Sequence, residues 1–306
     1  MMNDHYDLLD IPIKDAAAHI FRRPYLFVDL TAPMLQIVTF LAIGPQIYVD
    51  GLVVINNKTK NPVGRISSRH IIFNILKYDY PDWLEITAEQ IMDDFTGVID
   101  MDSPLSKALE VFNKTRFAFV PIIRKNEGSE AAIVASLSIR DVLPLIAKSN
   151  DDRLIKDLCS PLISVDKNTD IRTAIDFMIK EGIRNIGIKE NDNNSDTNKT
   201  NLIRIINDRK ILEFLLSHNG REIMHRNGVG GLAHVDIINH LDMISARKVK
   251  YDTIVSKASE LLMDIRNPFL IIGEEEDIKK DNFIITPWDI VMKILNADHR
   301  LMGEGR

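Results

Sequence analysis

The sequence predicts an α+β protein built from four helix-strand-strand-helix repeats that pair into two modules. Three observations carry that prediction. An apolar run, broken by a short polar motif and resumed as a helix-periodic stretch, occurs four times: GRISSRHII from Gly64, ASLSIRDVL from Ala135, RIINDRKIL from Arg204 and FIITPWDIV from Phe283. The anchors of these motifs, Ser67, Ser138, Asn207 and Thr286, stand 71, 69 and 79 residues apart, and self-similarity at a nearly constant period is the signature of a repeated structural unit. Each motif also follows the same two upstream parts, an amphipathic helix and a strand.

In repeat one, Met34, Ile37, Val38 and Leu41 before Gly44 place apolar groups on one helix face, and IYVDGLVVI then reads as a strand. In repeat two, Ser103-Pro104 is expected to cap and start a helix over Leu105, Ala108, Leu109 and Phe112, ahead of the strand FAFVPII. Repeat three has Ile171, Ala174, Ile175 and Met178 ending before Gly182, a C-cap candidate, and then RNIGI. Repeat four offers Ile254, Ala258 and Leu261, then PFLIIG. A polar turn, a second strand, the anchor and a second amphipathic helix such as HIIFNIL or DIVMKIL complete each unit.

One such unit has too little core to stand alone, because its sheet must be covered on the other face. Repeats 8–78 and 88–148 are therefore expected to form a first module, residues 8–148, and repeats 152–217 and 233–297 a second, residues 152–297. KSNDDR is the polar junction between them. ENDNNSDTNKTN, residues 190–201, reads as a solvated loop between the strands of repeat three. GVGG at 228–231 lacks the Lys-Ser/Thr of a phosphate loop and is expected to let the chain turn after the helix ILEFLLSHNGREIMH.

Composition narrows the function. The chain has 306 residues, 45% hydrophobic and 27% charged, which is the range of globular domains. No apolar run reaches a membrane span and the first residues lack the order of a signal peptide, so a cytoplasmic location is expected, with no membrane partner. One cysteine, Cys159, rules out internal disulfides and cysteine cages, and the histidines show no metal spacing. A formal charge of -6 argues against nucleic acid as the main partner, though a local basic pocket could hold a smaller anion.

The repeat layout, with Ser or Thr followed three residues later by Asp between the last strand and its helix, resembles the CBS domain. Four copies resemble two Bateman modules, the layout of the gamma subunit of AMP-activated protein kinase. The resemblance covers nearly the whole chain, is best in repeats two and three and weakest in repeat one. It implies clefts between paired repeats for adenosine-containing ligands: AMP, ADP, ATP or, alternatively, S-adenosylmethionine. It implies no other cofactor.

The resemblance gives the ribose hydroxyls to Ser138 and Asp141 and to Thr286 and Asp289. A carboxylate can accept from both hydroxyls of a ribose, so the chemistry agrees. The same residues also spell a helix capping box, and capping alone would explain them. In repeats one and three the acid is replaced by His70 and Lys210. A cation is unfavourable in a first helical turn. Across a shared cleft, Lys210 would meet phosphates near Asp289 and His70 those near Asp141. Otherwise Lys210 pairs with an acid or extends into water. Arg184 and Arg266, in the similar strings IRNIGI and IRNPFLII, and more loosely Arg116, are further phosphate candidates, or solvated strand-entry charges. Trp288 could stack on a base or simply pack.

With the repeats consuming the chain, a non-catalytic sensor is expected, binding an adenine nucleotide and signalling to a regulated protein partner, with a homodimer as one arrangement. The alternative is a structural or oligomerisation module with degenerate clefts.

Overall fold

The computed structural model describes residues 5–43, 50–77, 82–94, 97–125, 132–149, 151–189, 204–273 and 283–303. The loop 190–201, the turn at Gly44 and the strand start 47–49 lie outside the described residues.

Four sheets form, one per repeat. The first runs β1 (Phe27–Asp29), β2 (Leu52–Ile55), β3 (Pro62–Ile66) and β4 (Asp93–Asp94) in spatial order. The second has β5 (Ile99–Asp100), β6 (Phe119–Arg124) and β7 (Ala132–Ser138). The remaining strands are β8 (Ser160–Pro161), β9 (Ser164–Asp166), β10 (Asn185–Lys189), β11 (Arg204–Asn207), β12 (Ile244–Ser245), β13 (Arg247–Val249), β14 (Leu270–Ile272) and β15 (Phe283–Ile285). They form the sheets β12-β11-β10-β9 and β13-β14-β15-β8. In every sheet the first strand of the repeat pairs parallel to the second, which pairs antiparallel with the third. Three sheets gain a fourth strand from the lead segment of another repeat: β4 belongs to repeat two but completes sheet one, β12 belongs to repeat four but completes sheet three, and β8 belongs to repeat three but completes sheet four.

The apolar helix faces explain the packing. Met34, Ile37, Val38 and Leu41 are buried, as the periodicity predicts, and they share one core with Ile71, Ile72 and Ile75 and with Ala174, Ile175, Met178, Ile211 and Leu212 of repeat three. A second core joins Leu105, Ala108, Leu109 and Phe112 of repeat two to Val255, Ala258, Leu262, Ile290 and Ile294 of repeat four. The sheets of repeats one and two meet through the smaller cluster Val53, Ile55, Phe117 and Phe119, and those of three and four through Ile205, Phe269, Ile271 and Ile284. Each repeat therefore touches one neighbour through its sheet and another through its helices, and the four close a ring.

Three local expectations change. The helix of repeat two spans Leu105–Thr115 with Pro104 as its N-cap and no side-chain cap bond, so Ser103 stands outside it. In repeat four the helix Val255–Met263 buries Ala258, as expected, together with Val255, Ser259 and Leu262, while Leu261 is only partly buried and Ile254 precedes the helix and is exposed. The stretch ILEFLLSHNGREIMH is two helices, Asp208–Leu216 and His218–Asn227, because the Ser217 hydroxyl accepts from the Gly220 N–H and starts the second. Gly220 is required there, since a Cβ would sit 2.1 Å from the Phe214 carbonyl oxygen. As predicted, Gly182 ends the helix Ile171–Glu181 in the left-handed region, at φ 67°.

Candidate functional site

The hole of the ring is a cavity of about 720 Å³ to which all four repeats contribute. That is within the usual size of small-molecule sites. Repeat four presents Thr286, Pro287, Trp288 and Asp289, with Ser160 of β8 beside them; repeat three presents Arg184, Asn207, Asp208, Arg209 and Lys210; repeats one and two add Asp50, Ser67, Arg69, Arg116 and Arg140. Arg266 lies on the same wall. Seven cationic side chains face four carboxylates among the described lining residues, an excess of three positive charges in a chain whose formal charge is -6.

Hydrogen-bond register explains how the sequence delivers this. Each anchor ends or directly follows the third strand of its repeat, opposite the start of the second: Ser138 faces Phe119 and Asn207 faces Asn185, while Ser67 and Thr286 come one residue after β3 and β15. The helix that follows begins at the cavity, so the residue two after each anchor lines it: Arg69, Arg140, Arg209 and, in repeat four, the uncharged Trp288. Arg69, Arg140 and Arg209 were missed by the sequence reading, which compared the third position after the anchor. The signal was present, as arginine at the second position in three of four copies.

Thr286 and Asp289 form the capping box. The Asp289 Oδ2 accepts from the Thr286 N–H at 2.9 Å and from its hydroxyl at 2.6 Å. Its Oδ1 accepts from the Ser160 hydroxyl at 3.0 Å and lies 3.3 Å from the Lys293 ammonium. The carboxylate is 8% exposed and on the cavity wall. Trp288 is half-buried against the core of repeats two and four, with the Arg116 guanidinium 6.0 Å from its ring centre.

Ser138 and Asp141 are placed differently, which revises the ribose expectation for them. Neither lines the cavity. Asp141 is buried and accepts four bonds: Arg23 at 2.9 and 2.5 Å, His19 at 3.0 Å and the Ser138 N–H at 2.7 Å. The Ser138 hydroxyl is held by Asp50.

The cation candidates divide likewise. His70 is not at the cavity: its ring stacks on Phe117 at 4.6 Å, its Nδ1 is 3.2 Å from the Ser67 hydroxyl, and burial holds its pKa below the ordinary histidine value. A phosphate role for His70 near Asp141 is thereby revised. The same Phe117 ring carries the buried Arg65 guanidinium at 3.7 Å, which pairs with Asp93. Lys210 lines the cavity but its ammonium pairs with Glu213 at 2.6 Å. Arg184 binds Asp208 at 2.7 Å and the Ser68 hydroxyl at 3.1 Å, joining repeat three to repeat one. Burial would raise the Asp208 carboxyl, but the Arg184 guanidinium and the Ser68 hydroxyl hold it below the usual range. Arg209 reaches Asp50 at 3.0 Å, and Arg140 donates to the carbonyls of Leu262 and Pro268, at 2.6 and 2.9 Å, tying repeat two to repeat four. Arg266 is exposed and paired with Asp264, whose carboxyl it holds down to about 2. Arg69 and Arg116 face the cavity with no ion pair or hydrogen bond from their guanidinium groups among the described residues.

Register also realigns the strand-entry arginines. Arg116 stands three residues before the strand residue facing its anchor, and extension of the β14–β15 pairing puts Arg266 at the same place. Arg184 is one residue before its counterpart, so string likeness paired the wrong two.

Among the described residues no group of side chains could hold a metal ion, and no helix is long and apolar enough to cross a membrane. No protein-family model matches the sequence, and no curated protein matches it. Solved structures match its fold. A Methanocaldococcus jannaschii protein proposed as an archaeal homologue of g-AMPK aligns over 93% of this chain and 100% of its own, at 15% identity and a TM-score of 0.74. An uncharacterised conserved protein from Pyrococcus horikoshii aligns over 89% of this chain and 96% of its own, at 14% identity and 0.52. A shorter CBS domain protein from Pyrobaculum aerophilum, complexed with AMP, aligns over 43% of this chain and 97% of its own, at 22% identity and 0.35.

Proposed function

We propose that this chain, a CBS-domain protein with the α+β fold of paired repeats, is a non-catalytic sensor that takes an adenine nucleotide into the central cavity. One observation carries the reading: the Thr286/Asp289 motif, the aromatic Trp288 and an excess of three positive charges converge on one space of about 720 Å³. The Asp289 edge shared with Ser160 would receive the ribose hydroxyls. The phosphates would meet Arg69 and Arg116, which have no competing carboxylate among the described residues, and Lys210 after release from Glu213. Because the walls come from all four repeats, a ligand there favours one arrangement of the modules over others, and a protein partner would read that arrangement.

Isothermal titration with ATP, ADP, AMP and S-adenosylmethionine tests the reading, against the Asp289→Asn variant. Loss of the charge-assisted ribose bonds should cost about 1.5 to 3 kcal/mol, a ten- to hundredfold weakening. Lys210→Ala should weaken nucleotides more than adenosine. No response from the wild type to any of the four would sink the proposal.

A second reading is favoured by the capping geometry itself. The Asp289 Oδ2 is fully used in holding the Thr286 N–H and hydroxyl, so the motif could serve only its helix. Unchanged affinity in Asp289→Asn, in a chain that binds nucleotide, would establish that.

A further inference from the structure

Two of the four repeat anchors carry the Ser/Thr-x-x-Asp motif, and only one of these faces open space. The cleft beside Ser138 measures about 10 Å³, which is room for about one water molecule. What fills it is the chain itself. Arg23 enters from the segment ahead of β1, binds both oxygens of Asp141 and donates to the Ser136 carbonyl at 3.2 Å. With His19 and the Ser138 N–H, four donors meet a carboxylate that offers about four acceptor sites. A ribose hydroxyl would have to displace a guanidinium that grips both oxygens, whereas at Asp289 it need displace only the Ser160 hydroxyl or the half-exposed Lys293 ammonium.

The counterpart position in the other module is identifiable. Pro24 lies four residues before Val28 of β1, and Pro161 four before Val165 of β9, so Arg23 and Ser160 are equivalent residues, each ahead of a proline. Contacts agree with the alignment. Ser160 pairs with Ile284, two before the anchor Thr286, and donates to Asp289; Arg23 contacts Ser136, two before the anchor Ser138, and donates to Asp141. A guanidinium grips a carboxylate by two parallel bonds, whereas a hydroxyl makes one and can turn to accept.

We propose that Arg23 is a built-in occupant of the Asp141 cleft and that the residue at this position, arginine or serine, decides which module takes a nucleotide. The chain then binds one nucleotide on the Asp289 side and none on the Asp141 side. The binding half of this inference rests on the sensor reading above; the occupancy of Asp141 by Arg23 does not.

Titration of the full chain with ATP is expected to give one site in the wild type, loss of that site in Ser160→Arg, and a second site in Arg23→Ser. Two sites in the wild type, unaltered binding by Ser160→Arg, or a folded Arg23→Ser chain that still takes one ATP would each overturn the proposal. If the wild type binds no nucleotide, the sensor reading fails, and urea unfolding without ligand still decides the role of Arg23. Arg23→Ser, Asp141→Asn and the double variant should then be non-additive, with coupling of about tenfold or more in the unfolding constant. Additive costs would remove Arg23 as the occupant. Where Arg23→Ser does not fold, Arg23→Lys, which keeps the charge and loses the two-pronged grip, takes its place in the cycle: coupling supports the occupant and additivity overturns it.

Discussion

Asp141 and Asp289 are the same residue of the same motif, 148 positions apart, and the molecule uses them in opposite ways. Asp141 is buried in a cluster with Arg23 and His19, and its serine partner is turned to Asp50. Asp289 keeps the capping bonds and borders the cavity, with a hydroxyl and a half-exposed lysine at its free edge. A motif states what a helix start can do, and its neighbours decide whether the carboxylate is structural or available.

Neutralising each carboxylate in turn should give the largest contrast. Asp141→Asn leaves the Arg23 guanidinium in a largely buried site without its counter-charge, and removing one partner of such a pair costs on the order of 3 kcal/mol. Asp289→Asn should cost at most about 1 kcal/mol, the value of a cap. Urea unfolding of the two variants measures the difference, and equal costs would erase the contrast.

The next effect concerns closure of the Asp141 cleft by packing. A Cβ on Gly51 would lie 1.9 Å from the Phe119 ring, which is itself buried, so the ring has no room to retreat. Gly51→Ala should destabilise by about 1 to 3 kcal/mol, as overpacking does. The register equivalent, Asn185, borders the open cavity, and Asn185→Ala should fall within about 1 kcal/mol of neutral. Thermal unfolding of both variants measures how differently the two sides are packed.

A smaller change is expected in binding alone. Arg116→Ala removes a cavity guanidinium that holds no carboxylate among the described residues, so the fold should be indifferent while ATP weakens by about tenfold, near 1.4 kcal/mol. The loss should shrink as salt is raised. Titration at two ionic strengths checks it; an equal loss for adenosine would take the phosphates away from this wall.

The least effect lies with His70, half-buried against Phe117. Its folded pKa is below the ordinary value of about 6.5, because burial disfavours the imidazolium. The unfolded chain therefore takes the proton first. Its contribution is fully present above about pH 6.5 and is lost as pH falls from there toward the folded pKa. His70→Asn should flatten that part of the stability profile measured between about pH 7.5 and 5, the interval in which histidine titrates.

Much of this was legible in the sequence. The repeat, the helix faces of repeats one to three, the Gly182 cap and the capping chemistry of Thr286-x-x-Asp289 all depend on residues within a few positions of each other, where backbone period and hydrogen-bond reach translate directly into spacing. In repeat four Ala258 faces the core as expected, but Ile254 is apolar yet lies ahead of the helix and Val255 takes its place. The arginines two after each anchor were equally local and needed only the right position to be compared.

Tertiary structure alone decided the rest. The grip of Arg23 on Asp141, 118 residues later, is a contact that no periodicity predicts. The pairing of repeat one with three and of two with four through their helices arises because all four helix faces are similarly apolar, so composition does not say which two will meet. Local sequence set what each repeat could offer; closure of the ring selected which offers face the cavity, because a buried carboxylate goes to whichever cation the packing brings within bonding distance.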